Sequence, residues 1–348
     1  MITEASIREK LKQVPYPGFS RDIISFGLVK RIVVSGSDVT VLVSLATRDP
    51  AVPRAIHQGI EEALKSLQGI GKIAIDFDLT DPPEPVANNP AAAQTSIPGV
   101  KRVIAVASGK GGVGKSTVST NLAIALSRTG ARVGLCDCDL YGPSIALMLG
   151  ATDRQPMATE QNEIIPIEVH GIKAISMGFL LDEDSPVIVR GPLATRYTQQ
   201  FLRQCLWGEL DYLILDLPPG TGDIQLTIVQ TVALSGSLIV TTPQEVALID
   251  ARKAAAMFRK VNVPITGLVE NMSWFECDHG TKYPIFGEGG GAREAGRLGV
   301  PLLAQIPINI ATRDRADLGD PIATLDPATH AISAAFAELA RRVITAVG

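Results

Sequence analysis

The chain has 348 residues, 46% of them hydrophobic, with 32 Lys and Arg against 36 Asp and Glu and a formal net charge of −4. That length exceeds one ordinary domain, and the charge balance argues against broad nucleic-acid binding, which needs a basic stripe. No apolar run approaches a membrane span, no secretory segment opens the chain, and four cysteines fit a reducing compartment, so the expectation is a cytoplasmic protein with neither nucleic acid nor membrane as a partner.

Taken in chain order, Thr3 to Gln13 is helical in period, and Leu28 to Val34 and Asp38 to Leu45 alternate as a hairpin around Ser35-Gly36-Ser37. Ala55 to Leu67 is an amphipathic helix and Ile70 to Phe77 a closing strand. This predicts a small α+β domain over residues 1–78. Residues 79–99 hold Asp81-Pro82-Pro83-Glu84-Pro85 and an Asn/Pro/Ala stretch, the composition of a semi-rigid linker. A larger domain is expected over 100–348.

That larger domain opens with an apolar strand, Val103 to Ala107, followed by Ser108-Gly109-Lys110-Gly111-Gly112-Val113-Gly114-Lys115-Ser116-Thr117 and a helix beginning at Ser116. Strand, glycine-rich loop and helix start together read as a phosphate-binding loop. Its glycines let backbone N–H groups turn inward onto phosphate oxygens, and the helix N-terminus adds partial positive charge. Residues 109 to 117 are therefore the candidate nucleotide cradle, with Lys115 reaching the β/γ-phosphates and the Ser116 hydroxyl a magnesium ligand. Lys110 is a second cation that such a loop does not need; it is either used or solvated.

Further along, Val133 to Asp139 is an apolar strand carrying Asp137 and Asp139 at a two-residue spacing, which an extended backbone points to one side at the ligand-binding end of an α/β sheet. A solvated acidic turn is the plainer reading. Asp211 to Asp216 is a buried strand ending in a carboxylate, followed by Leu217-Pro218-Pro219-Gly220-Thr221-Gly222, a loop able to change shape. Ser237 to Thr241 is a strand, Glu245 to Lys260 a helix, and the strand Ile265 to Glu270 delivers Asn271. Its carboxamide matches the donor and acceptor edge of adenine, or it is simply a turn residue.

The loop with its second lysine resembles the deviant phosphate loop of the MinD/ParA/nitrogenase-iron-protein ATPases. The fold implied is an α/β P-loop NTPase with a mostly parallel sheet flanked by helices, behind the small α+β domain. Asp139-Leu140-Tyr141-Gly142-Pro143-Ser144, Arg190-Gly191-Pro192, Leu217 to Asp223 and Glu270-Asn271-Met272-Ser273 occur in an order that narrows the resemblance to the Mrp-type iron–sulfur cluster carrier ATPases. Arg21 to Val29 resembles the iron–sulfur assembly domain often fused ahead of them, although Val52 stands where that domain often carries a reactive cysteine. The resemblance implies slow ATP hydrolysis with Mg²⁺ in an ATP-sandwiched homodimer, Lys110 crossing to the partner's nucleotide. It also implies catalytic roles for Lys110, Lys115 and Asp139, the last orienting the attacking water. Asp137 and Asp216 would serve the magnesium shell and Asn271 the base. The cargo implied is an iron–sulfur cluster, of the four-iron type if one is bound, and the partners are apoprotein clients and assembly factors.

One departure bears on that cargo. Relatives place two cysteines two residues apart after the asparagine; here the segment reads Trp274-Phe275-Glu276-Cys277-Asp278-His279-Gly280-Thr281, with Gly280 where the second thiol would stand. Either Cys277 still holds a cluster, with His279 the nearest further ligand, or the chain is a nucleotide-gated scaffold that holds none. A positioning ATPase of the MinD/ParA kind is the third reading. Cys136, Cys138 and Cys205 read as small buried hydrophobes.

Overall fold

The computed structural model describes residues 3–17, 22–47, 49–67, 69–80, 95–161, 163–180 and 191–348. The chain divides into two compact units, residues 1–92 with 181–188, and residues 93–180 with 189–348.

In the first unit, α1 (Glu4–Leu11) is started by Thr3, whose side chain accepts from the Ser6 N–H while Ser6 returns the bond, a reciprocal cap. β1 (Val29–Ser35) and β2 (Asp38–Ala46) form the expected hairpin, α2 (Ala51–Lys65) crosses over, and β3 (Ile73–Thr80) pairs parallel to β2. Ile7, Leu11, Val41, Ile56, Ile60 and Leu64 are fully buried between the helices and the sheet. Several boundaries differ from the sequence reading by a few residues, most notably at α2 and β3. The helix α2 begins four residues early and takes in Pro53, which the first turn tolerates because its missing N–H has no helical partner there. β3 also takes in Leu79 and Thr80, which the composition had assigned to the linker. Residues 81–94 of that linker and Arg190 lie outside the described residues.

The second unit runs β4 (Val100–Ala107), α3 (Lys115–Ser127), β5 (Val133–Asp137), α4 (Ile145–Met148), β6 (Met157–Ala158), β7 (Ile164–Ile165), β8 (Ile167–Val169), β9 (Ile172–Ile175), α5 (Gly191–Gln204), β10 (Leu210–Asp216) and α6 (Asp223–Thr231). It continues with β11 (Gly236–Thr241), α7 (Glu245–Lys260), β12 (Ile265–Glu276), β13 (Lys282–Tyr283), α8 (Gly290–Leu298), β14 (Leu302–Ile308), α9 (Ile310–Asp317) and α10 (Ala331–Val347). The main sheet has the order β13-β12-β11-β4-β10-β5-β9-β8, with β14 also on β12. β4, β5, β9, β10, β11, β12 and β14 run parallel to one another, and the edge strands β13 and β8 run antiparallel to β12 and β9.

Parallel strands covered on both faces need near-continuous apolar runs, and β4, β5, β10 and β11 supply them. α3 is buried along most of its length, and Phe336, Leu339 and Val343 of α10 share its core. The register sets Asp216 beside Asp137 and beside Val106, so the carboxyl ends of β4, β10 and β5 finish level. Ligands of open α/β sheets bind at that edge. β12 continues six residues beyond the expected strand end, so Asn271 lies inside it.

Candidate functional site

The loop between β4 and α3 is shaped by two glycines. Gly114, the residue before α3, sits at φ 80, and a Cβ there would overlap the Asn271 side-chain nitrogen. Gly109 is required by proximity, since a Cβ would run into the backbone of Asp250 on α7. Gly109→Ala should therefore displace the loop from α7, weakening nucleotide binding at least tenfold and costing about 1–3 kcal/mol of stability, measured by nucleotide titration and denaturant unfolding. Gly296, on α8 and away from the pocket, has open space where a Cβ would stand, so Gly296→Ala serves as the control. The loop encloses a pocket of about 210 Å³, formed by residues 111–117 with Asp139, Ser144 and Pro219 among its walls. This is below the roughly 300–1,000 Å³ of sites that enclose a whole small molecule, and it suits a phosphate chain with the base lying outside.

Beneath the pocket lies a buried ionic knot. Lys115 Nζ is 2.7 Å from Asp216 Oδ2, the two side chains being 6% and 1% exposed. The Ser116 hydroxyl donates to the same Oδ2 at 2.6 Å, and the Ser119 hydroxyl donates to Oδ1 at 2.6 Å. Asp137, on the neighbouring strand, accepts from Ser176 Oγ at 2.8 Å and from the Asp139 N–H at 3.0 Å. Burial, with the Asp216 charge beside it, pushes the Asp137 carboxyl up to about 7. Hydroxyl and carboxylate oxygens are the hard donors that Mg²⁺ takes, so Ser116 and Asp216 fit that ion.

β5 ends at Asp137, so the extended geometry expected to carry both acids to one side stops short of Asp139. Asp139 instead lines the pocket, while Asp137 lies a layer below and is not part of the lining. Burial raises the Asp139 carboxyl, Lys115 opposing the effect. On the other flank, Gly220 N–H donates to the Ser108 carbonyl at 3.0 Å, and buried Gln225 donates to the Pro218 carbonyl, pinning both ends of the loop after β10. Asn271 donates through Nδ2 to the Val113 carbonyl at 2.9 Å, holding the phosphate loop from below. Lys110 is half-buried and is outside the pocket lining; Ser108 Oγ donates to its carbonyl at 2.9 Å. Among the described residues Lys110 makes no ion pair, whereas Lys115 is paired with Asp216.

Cys277 follows β12 in a tight turn: Gly280 N–H donates to the Cys277 carbonyl at 2.8 Å, and Cys277 N–H donates to Thr281 at 3.0 Å. Backbone N–H groups of His279 and Thr281 hold the Cys277 thiol below its usual range, favouring the nucleophilic, metal-binding thiolate. His279 is exposed in the same turn, and Gly280 sits at φ 76, a conformation that a cysteine would resist. Among the described residues no group of three or more His, Cys, Asp and Glu side chains gathers to hold a metal. Cys136 and Cys138 are fully buried with their sulfurs 3.8 Å apart, and burial pushes Cys205, just past α5, up to about 12.

Two site residues escaped the sequence reading. Ser119 stands four positions after Lys115 on a helix, hence on the same face, and that spacing would have found it. Ser176 reaches Asp137 only because β9 pairs with β5, a pairing across 39 residues with no local signal.

Residues 99–344 match the family described as NUBPL iron-transfer P-loop NTPase, and residues 4–77 match the iron–sulfur cluster assembly protein family. The iron–sulfur cluster carrier protein of Deinococcus radiodurans is 46% identical over 325 residues, covering 93% of this chain and 90% of its own length. That of Haemophilus influenzae is 42% identical over 342 residues, covering 97% and 90%. Among solved structures, a nucleotide-binding protein from Archaeoglobus fulgidus in complex with ADP has a TM-score of 0.57 at 38% identity, covering 64% of this chain and 87% of that one. The cell division ATPase MinD of Pyrococcus furiosus has a TM-score of 0.55 at 25% identity, covering 70% and 98%. The segment that builds the phosphate loop, the carboxylate knot and the Cys277 turn is thus the segment the family match spans, and this protein belongs to the NUBPL iron-transfer P-loop NTPases.

Proposed function

We propose that this chain is an ATP-hydrolysing iron–sulfur cluster carrier, in which a nucleotide cycle at the loop 109–117 controls a cluster held at Cys277 for transfer to apoproteins. The observation that carries the reading is that β12 bears both ends of the coupling. Asn271 grips the phosphate loop, and Cys277 follows the end of the same strand six residues on, about 20 Å away at full extension. Between them Met272 takes φ 57, and the pairing with β14 shifts register, so the strand has a local irregularity where a loop movement can be passed on or absorbed.

In the cycle proposed, ATP draws Lys115 from Asp216 to its β/γ-phosphates, and the loop N–H groups cradle those oxygens. Ser116 and Asp216 would hold Mg²⁺, which would supply charge neutralisation across the phosphates. Asp139, at the pocket wall, positions the attacking water, and Asp137 supports Asp216 from the next strand. Asn271 keeps one N–H on Val113 and has its other N–H and its Oδ1 to offer the base. Lys110 is assigned to the nucleotide of a second copy, whose approach would cover the open side of the pocket. Two copies would share a cluster through their Cys277 thiolates, with His279 the nearest further ligand; clients and assembly factors would then exchange it. We also propose a first domain that closes with β3 at Thr80, a linker after it, a nucleotide-binding domain from β4 onward, and a cytoplasmic location; no helix among the described residues is long and apolar enough to cross a membrane.

The left-handed Gly280, where relatives carry a second cysteine, favours a second reading, a scaffold that binds assembly partners without a cluster. Anaerobic reconstitution with iron and sulfide separates the two. A carrier takes up stoichiometric iron per dimer with a visible cluster spectrum, and Cys277→Ala loses both while ATP hydrolysis persists. Wild-type chain that hydrolyses ATP but takes up no cluster establishes the scaffold.

A further inference from the structure

We propose that Ser119 is a positioning residue for Asp216: it fixes one carboxylate oxygen on α3 so that the other is presented to the ion site. The proposal rests on the nucleotide-site reading above and adds a residue that no phosphate-loop pattern contains. Ser119 and Asp216 are each 0% exposed, so their bond at 2.6 Å forms with water excluded. A serine hydroxyl has one proton and here two acceptors, Asp216 Oδ1 and the Lys115 carbonyl at 3.1 Å. The shorter, charge-assisted contact takes it.

The two oxygens of Asp216 have different fates. Oδ2 has Lys115 and Ser116 as partners, and both are groups that nucleotide binding calls away. Oδ1 has Ser119, which lies one turn deeper and has no phosphate to reach. When the loop engages nucleotide, Ser119 is the donor that stays. The last torsion of an aspartate is broad and nearly two-fold, and the ionisable Asp137 lies on the adjoining strand. Without Ser119, the Asp216 carboxylate would be free to turn about that torsion, leaving the ion site without a fixed oxygen.

The plainer account makes Ser119 a helix-interior hydroxyl satisfied by the carbonyl four residues back. Ion-dependent binding separates the two. In full-length protein, ADP affinity is measured by calorimetry in EDTA and across a Mn²⁺ series, with Mn²⁺ binding followed by electron paramagnetic resonance. Ser119→Ala should raise the Mn²⁺ concentration for half-saturation of the ADP complex about tenfold while leaving ADP affinity in EDTA within twofold of wild type. Ser119→Thr, which keeps the hydroxyl, should restore it. If Ser119→Ala does not fold, Ser119→Cys, nearly isosteric with a weak donor, should still shift half-saturation at least threefold. Half-saturation within twofold of wild type in the alanine variant, or in the cysteine variant where that one is used, overturns the proposal. So does a fall in EDTA affinity as large as the metal effect. Wild-type chain that binds no ADP at all overturns the site reading itself.

Discussion

Lys115→Ala is expected to abolish ATP hydrolysis, with a fall of at least about a hundredfold, and to cost the nucleotide-free chain roughly 3 kcal/mol of stability. Both effects come from one geometry. The ammonium is the sole cation within ion-pairing distance of Asp216 among the described residues, and both side chains are buried. Removing one member of a buried pair leaves the other charge uncompensated, typically at about 3–5 kcal/mol; the hydroxyls of Ser116 and Ser119 still solvate Asp216 and keep the cost at the low end. Phosphate-release assays and urea unfolding of the same preparation test the two halves. Normal turnover would remove Lys115 from the mechanism, and normal stability with lost turnover would mean that the pair with Asp216 contributes nothing in solution.

Much of this site was legible in the sequence because its chemistry is local. The phosphate loop needs consecutive residues, glycines at close approaches and a helix immediately behind, and all three are written between Val103 and Thr117. The parallel sheet was legible for a related reason: strands covered on both faces are apolar throughout, as in Ile104 to Ala107 and Leu213 to Leu215. What stayed hidden depends on which strands become neighbours. That Ser176 would donate to Asp137 follows from β9 lying beside β5, which no run of residues encodes. Asn271 looked like a strand terminus because its carboxamide is a turn-former; the loop it supports lies 158 residues earlier. The departure at Gly280 was visible as a missing cysteine, whereas its left-handed turn was not.

The nucleotide-free chain should lose stability as the pH rises from about 4 to about 7, and Asp137→Asn should remove most of that loss. Burial and then the Asp216 charge raise the Asp137 carboxyl from 3.8 to about 7. Between those values the native state holds a proton that the unfolded chain has released, so stability falls with pH across the window. A shift of this size corresponds to about 4 kcal/mol at most, at about 1.4 kcal/mol per unit. Asp139, also raised by burial, adds to the slope in both proteins and so cancels in the difference. Asp211, held down to about 2 by Lys101 and Arg132, acts in the opposite sense but only as the pH falls below about 4, outside the window. Denaturant unfolding at pH 5, 6, 7 and 8 gives the comparison directly. A carboxamide keeps an oxygen for Ser176 or the Asp139 N–H but carries no charge toward Asp216, so the variant should be the more stable protein at pH 8 and close to wild type at pH 5. In the cycle proposed, Asp137 supports Asp216, so the variant should also hydrolyse ATP poorly. Wild-type stability that is flat or rising from pH 5 to 7 would mean that Asp137 is already ionised in the empty site, and the proposed tension between the two strand-end carboxylates would have to be abandoned.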